Sequence, residues 1–555
     1  MRKFHLLILS CMLLSQCQKK QDTPKEEIKE NTQTPFLWEA ANVYFLLTDR
    51  FNIGNTNPQM ILERNKETGK LRNFLGGNIT GVTQKIEEGY FDELGVNAIW
   101  LTPLIEQVHG SVDEGTGNTY AYHGYWAKDW TALDPSFGTM DELKMMVKSA
   151  HARGIRILLD VVINHTGPVT DKDPVYPENW VRTGPQCEYT NYANTTSCTL
   201  VANLPDIRTD SNEEVMLPDM LVEKWTKEGR LEKEISELNT FFKRTGYPRA
   251  PRFYIIKWLT DYITELGVDG FRVDTVKHTE AHVWAELQTE ATYCFKKWKE
   301  ANPDKVLDNN PFYMVGEVYG YGVSGGRMFD FGDKKVDFFA HGFKSLINFD
   351  FKYDAAKDYE TVFEKYDSIL SNTLKGKSIL NYLTSHDDGE PFDKSRENSF
   401  KAANMLLLSP GASQIYYGDE TIRSLMIEGT EGDATLRSFM NWNALQNDSK
   451  TQKIFEHYSK LGKFRKRHPA IGMGSHQMIS EHPYVFKRSL TVNNFKDMVV
   501  VGLDLAVGLK SLDVSTVFPE GTKLKDTYSN SFSIVKNGEV LIDSPYKIVL
   551  LEKSN

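Results

Sequence analysis

The sequence predicts an α/β fold: a (β/α)8 barrel with a domain inserted after its third strand and an antiparallel β-domain at the C-terminus. Three observations carry this reading. Strand-like and helix-like patterns alternate from about residue 40 to about residue 460. One connection, from Val162 to Arg252, is far longer than an ordinary turn. Beyond about residue 470 the helical pattern gives way to short β-like runs.

Eight strands are read at Asn42–Thr48, Ala98–Thr102, Arg156–Val162, Gly270–Asp274, Phe312–Val315, Ser345–Phe349, Ile379–Ser385 and Ser413–Tyr417. Several are continuous apolar runs, as expected of parallel strands buried on both faces. Helical patterns such as Met140–Arg153, Arg252–Leu266 and Lys401–Leu408 lie between them. The barrel is assigned to 36–165 and 250–465, and the inserted domain to 166–249. That insert is rich in Asn, Thr and Pro, and a connection of such length carries function or forms a subdomain. The C-terminal β-domain, 466–555, is read from Tyr484–Arg488, Asp497–Leu503, Ser531–Lys536 and Lys547–Leu551.

The 555 residues leave room for two or three domains, unless one is a large α/β barrel. The net charge of −10 offers no basic face for nucleic acid, so no nucleic-acid partner is expected. A monomer is expected. Ten Trp and 25 Tyr could supply stacking surfaces for flat ligands, although core packing is the commoner use of aromatics.

The first 17 residues form an export signal. Arg2 and Lys3 precede an apolar stretch, Leu6 to Leu14, too short to span a bilayer. Leu14-Ser15-Gln16-Cys17 resembles a bacterial lipobox, with Cys17 as the lipidated residue. Gln16 departs from the usual small residue there, and simple secretion after cleavage is the alternative. Residues 18–35 are polar and lack apolar periodicity, which suits a flexible tether. The expected location is the bacterial periplasm or the outer membrane, held by a lipid anchor and open to surface exposure. In an exported protein, Cys187 and Cys198 suit a disulfide closing a small loop. Cys294, within the helical pattern Glu286–Trp298, reads as a small core residue. No cysteine spacing suggests zinc.

The chemistry concentrates at strand ends. Gly270-Phe-Arg-Val-Asp-Thr-Val-Lys-His278 closes the fourth strand. Arg272 and Asp274 point the same way on a strand, and a fixed cation beside a carboxylate keeps it ionised. That is what a carboxylate nucleophile requires, although a salt-bridged strand end would look the same. Asp160-Val-Val-Ile-Asn164-His165 closes the third strand, Gly316-Glu317-Val318 the fifth and Tyr382-Leu-Thr-Ser-His386-Asp387 the seventh. Tyr416-Tyr-Gly-Asp-Glu420 follows the eighth. Each alone could be a capped helix start or a solvated loop. In order, at successive strand ends, they converge on one face of a barrel.

These motifs resemble those of the α-amylase family, glycoside hydrolase family 13. DVVINH, GFRVDTVKH, GEV and LTSHDD match its four principal signatures in order, and NLPDI (203–207) and GASQIYYGDE (411–420) match two supporting ones. The resemblance spans about 40–555 and within the family is nearest to bacterial periplasmic α-amylases of the maltose system. It implies a retaining endo-hydrolase of α-1,4-glucosidic bonds in starch, glycogen or maltodextrins. Asp274 would be the nucleophile, Glu317 the general acid/base and Asp387 the third carboxylate, which binds sugar hydroxyls. Glu317 must hold a proton near neutral pH, and neighbouring carboxylates are expected to raise its pKa. Arg272 would hold Asp274 ionised, and His165 and His386 would donate to hydroxyls of the cleaved sugar. Tyr125 would stack under that sugar. Lys277 and His278 match the leaving-group side, and Asp433 with Arg437 the pair on the non-reducing side.

The implied metal is calcium, held by the Asn164 side chain, Asp206 and the backbone carbonyl of His278. Thr196 departs from the Glu of fungal members two residues before the second loop Cys, which leaves the ligand set incomplete. Ser385 stands where many members carry Asn, which argues against chloride activation. Two other readings remain open. A transglycosylase or α-glucosidase of the same family shares the covalent intermediate, though Lys277-His278 argues against most α-glucosidases. A non-catalytic glucan-binding barrel would have lost a carboxylate, and here Asp274, Glu317, Asp387 and Arg272 all stand.

Overall fold

The barrel strands form at short, largely apolar runs. In the computed structural model, which describes residues 34–54 and 61–554, they are β1 (Asn42–Leu46), β2 (Ala98–Leu101), β3 (Arg156–Val161), β4 (Gly270–Val273), β5 (Tyr313–Gly316), β6 (Ser345–Asn348), β7 (Ser378–Tyr382) and β8 (Ala412–Tyr416). Every residue in all eight is buried, as two-faced burial demands. Each strand runs parallel to the next, and β8 closes against β1. The signal, Cys17 and most of the tether lie outside the described residues.

Packing selects small residues where strands and helices crowd. A Cβ on Gly270 would lie 2.5 Å from the Tyr313 carbonyl oxygen and 2.8 Å from Leu158 Cδ2. Gly267 ends the helix Pro251–Leu266 at φ +70°, and a Cβ there would run into the Trp298 ring. The strand expected to end at Ser385 stops at Tyr382. Residues 383–388 form a loop whose shape is set by side-chain bonds rather than by ladder pairing.

The connection after β3 begins with a two-stranded ribbon, Val181–Arg182 against Asp206–Ile207, and Cys187 is bonded to Cys198. It ends in two helices, Asp219–Lys227 and Leu231–Thr245, which the sequence pattern had not suggested. They bury Leu221, Trp225, Leu238, Phe241 and Phe242. They dock on wholly buried Asp129, which accepts from Lys224 Nζ at 2.8 Å and Arg230 Nη2 at 2.9 Å. Cys294 sits half-buried on the helix Ala281–Ala301.

The C-terminal region is a six-stranded antiparallel sheet with a separate strand pair, Gly508–Asp513 and Glu539–Ser544. Val485, Val500, Leu512, Val540, Ile542 and Leu551 are among the residues of its own core. All four runs read from the sequence contain strands, although 535–536 and 547–548 fall outside them. Four further strands alternate exposed and buried residues or lie largely exposed, which hid them. Among the described residues, no helix is long and apolar enough to cross a membrane.

Candidate active site

Register brings the charged residues together. Arg272 on β4 is the rung partner of Asp160 on β3, and Val273 is the partner of Gly316 on β5. The residues just past those rungs therefore emerge side by side at the strands' C-terminal ends. Arg272, almost wholly buried, is the hub. Its Nη1 donates to Asp160 Oδ1 at 2.9 Å and to Asp274 Oδ1 at 2.7 Å. Its Nη2 lies 3.1 Å from Glu317 Oε2. Thr275, in the left-handed region at φ 48°, donates its N–H to the same Glu317 oxygen at 2.9 Å.

Asp160 is a residue that sequence reasoning passed over. Trp100 Nε1 and the Tyr125 hydroxyl both donate to its Oδ2, at 2.9 and 2.8 Å. Burial, partly offset by Arg272, pushes its carboxyl up to about 7. The one available signal was its place as the first residue of DVVINH. Its function depends on a neighbour in the next strand, which linear spacing does not reveal.

Glu317 is held well above the ordinary carboxylate range. The sequence reading named neighbouring carboxylates as the cause. Burial is the larger cause here, Arg272 opposes it, and Asp274 and Asp387 add to it. Asp387 behaves oppositely. Burial works against its charge, but His386, Arg272 and Arg437 outweigh that and hold the carboxyl below its usual range. Its Oδ1 accepts from Ser385 Oγ at 3.0 Å.

The remaining expected residues sit around this hub. The Tyr125 ring stacks on His386 with centroids 5.1 Å apart, and His165 Nε2 lies 3.1 Å from the Tyr125 carbonyl oxygen. Burial depresses His165 and takes His386 down to about 4, so both rings are neutral near pH 7. Lys277 Nζ lies between the rings of Tyr189, Tyr319 and Phe329, at 5.8, 5.2 and 5.7 Å. His278 meets Tyr189 edge-on. On the far side Arg437 pairs with Asp433 and donates from Nε to the His386 carbonyl at 2.8 Å. Arg437 therefore also bolts the loop that carries Asp387.

A family profile described as the α-amylase catalytic domain matches residues 45–428. The chain belongs to the α-amylase family. It is a glycoside hydrolase built on the (β/α)8 barrel of that family. It is 37% identical over 493 residues to the periplasmic α-amylase of Escherichia coli, covering 81% of this chain and 70% of that one. It is 27% identical over 524 residues to the cyclomaltodextrin glucanotransferase of Bacillus licheniformis, covering 90% of this chain and 64% of that one. A solved Anoxybacillus α-amylase shares the fold, with TM-score 0.64 at 22% identity, over 94% of this chain and all of that one.

An oxygen-rich corner lies beside the hub. Thr279 Oγ1 donates to Asn164 Oδ1 at 3.2 Å, and the Ile207 N–H donates to the Asn164 carbonyl at 2.8 Å. This places Asp206 against the end of β3. Asp206 Oδ2 is buried and accepts no hydrogen bond, although Arg182 Nε lies 3.2 Å away. Burial drives that carboxyl to about 9. His278 Nδ1 lies 3.1 Å from the Thr195 carbonyl oxygen, which draws the insert onto the same corner. An amide oxygen, an orphaned carboxylate oxygen and a peptide carbonyl suit a hard cation. Among the described residues, no cluster of three or more His, Cys, Asp or Glu forms a metal site.

Proposed function

We propose that the chain is a retaining, endo-acting α-amylase that hydrolyses α-1,4-glucosidic bonds of starch, glycogen or maltodextrins. One observation carries the reading: a single buried guanidinium, Arg272, contacts both Asp274 and Glu317, while burial raises the Glu317 carboxyl well above its ordinary range. Glycosidic cleavage with retention requires a carboxylate nucleophile beside a carboxylic acid.

In this reading Asp274 attacks the anomeric carbon as Glu317 gives its proton to the departing oxygen. An ester to Asp274 forms as the glycosidic C–O bond breaks. Glu317, now ionised, takes a proton from water. The water oxygen displaces Asp274, and two inversions leave the configuration unchanged. Asp387, His165 and His386 hold hydroxyls of the reacting sugar, and Tyr125 stacks beneath it. Lys277 and His278 serve the leaving chain, and Asp433 with Arg437 the non-reducing side.

Calcium is assigned to Asn164, Asp206 and the His278 carbonyl. When bound, it supplies a structural tie between the insert and the barrel. The division into barrel, insert 166–249 and β-domain 466–555 follows the same reading. Export is supported by the 37% identical relative being a periplasmic enzyme, and a lipid on Cys17 would hold the protein at a membrane. Chromatography of products from amylose and maltoheptaose over time tests the function. Early medium-length oligomers are expected. Glucose alone would indicate an α-glucosidase, and products longer than the substrate a transglycosylase.

A further inference from the structure

We propose that Lys352 is a positioning residue for the reaction: acting through Asp388, it sets where Asp387 stands relative to Glu317. The proposal rests on the reading of Asp387 and Glu317 given above. Lys352 lies on the helical turn Phe351–Asp354 that follows β6. Its Nζ is 2.5 Å from Asp388 Oδ1, and both side chains are buried. Tyr382, at the end of β7, donates its hydroxyl to Asp388 Oδ2 at 2.7 Å. Among the described residues, no second cation comes within ion-pair distance of Asp388.

The brace continues sideways. The Tyr382 ring packs edge-on against Phe349, with centroids 5.4 Å apart, and Phe349 against Tyr319 at 5.1 Å. Tyr319 follows Glu317 by two residues. The contacts thus run from the Glu317 loop, past the end of β6, to the loop that carries Asp387. On the other flank Arg437 Nε holds the His386 carbonyl at 2.8 Å. Asp387 is therefore clamped through the backbone on both sides. Its own carboxylate accepts from Ser385 Oγ at 3.0 Å, and its side chain is 34% exposed.

A buried carboxylate without its cation is drawn towards water. The Cα of the preceding residue is only about 3.8 Å away, so Asp387 would be carried with Asp388. A displacement of about 1 Å in a group that positions substrate costs on the order of 100-fold in rate.

The test compares the parent with Lys352→Met and with the double variant Lys352→Met/Asp388→Asn. Thermal melting and kcat and KM on soluble starch are measured for each. Lys352→Met should lose both stability and kcat. The double variant removes the stranded charge, so its melting temperature should return towards the parent. Its kcat should stay down by about 10- to 100-fold, because the bridge is still missing. A purely structural role predicts the opposite, with rate and stability recovering together. That outcome, or a parental kcat in Lys352→Met, overturns the proposal. A parent inactive on amylose overturns the reading of the site and this proposal with it. An active parent with unaffected variants overturns this proposal alone.

Discussion

Arg272 and Asp160 face each other across two neighbouring barrel strands, and their side chains meet at 2.9 Å. The pair is fully buried, and Asp160 also receives Trp100 and Tyr125. Its role is to fix the guanidinium so that one of its nitrogens can hold Asp274. Removing one partner of a buried pair costs about 3–5 kcal/mol. Arg272 keeps two other carboxyls, so Asp160→Asn should fall at or below the low end of that range. The same change should lower kcat/KM by about 10- to 100-fold through misplacement of Arg272 and Tyr125. Starch kinetics beside a thermal melt measure both, and an unchanged kcat/KM would refute this role.

In the proposed mechanism nucleophile and acid act as a unit, so Asp274→Asn and Glu317→Gln should each leave a folded protein with kcat reduced by about 10⁴-fold or more. A near-parental rate on soluble starch in either variant would remove the mechanism.

The raised Glu317 carboxyl sets the sign of the rate's pH dependence. If Glu317 is the general acid, its protonated form is the active one and kcat should decline as pH rises through that raised value. A kcat profile that keeps climbing through the alkaline range would contradict it.

Stability should carry a separate pH signature. Glu420 is buried, accepts from the hydroxyls of Tyr44 and Tyr90, and has its carboxyl raised by burial from 4.5 to about 7. Below 4.5 both folded and unfolded states hold the proton, and nothing is lost. Between 4.5 and about 7 the unfolded chain ionises first, so stability drains away as pH rises. Glu420→Gln should flatten the fall in melting temperature across that window, whatever its absolute value. An identical slope in parent and variant would discard the assignment.

Chelation should lower the melting temperature by mass action if calcium sits on Asn164, Asp206 and the His278 carbonyl. Asp206→Asn should abolish the response. A parent whose melting curve ignores the chelator would sink the metal.

Metabolic labelling with a palmitate analogue should mark the parent and fail in Cys17→Ser. Equal labelling of both would dispose of the lipid anchor.

The barrel was legible along the chain because parallel strands buried on both faces are largely apolar, as Ala98–Leu101 and Tyr313–Gly316 are. Asp274 and Glu317 were legible for a related reason. They follow such runs directly, and a strand's end fixes where the next side chain emerges. The helices Asp219–Lys227 and Leu231–Thr245 were not. Their polar faces dominate the sequence, and they are held by Asp129, a residue far away in the chain. The strands Gly508–Asp513 and Glu539–Ser544 stayed hidden because half of each faces water.

What the linear sequence settles here is the order of the elements, the family and the identity of the groups that can donate or accept protons. Their working states belong to the folded molecule. Glu317 is raised chiefly because it is buried, and Asp387 is lowered because His386, Arg272 and Arg437 surround it. Asp160 and Lys352 gain their roles through partners on adjacent strands and loops. Desolvation and cross-strand distance are properties of packing, and neither is written in the spacing of residues along a chain.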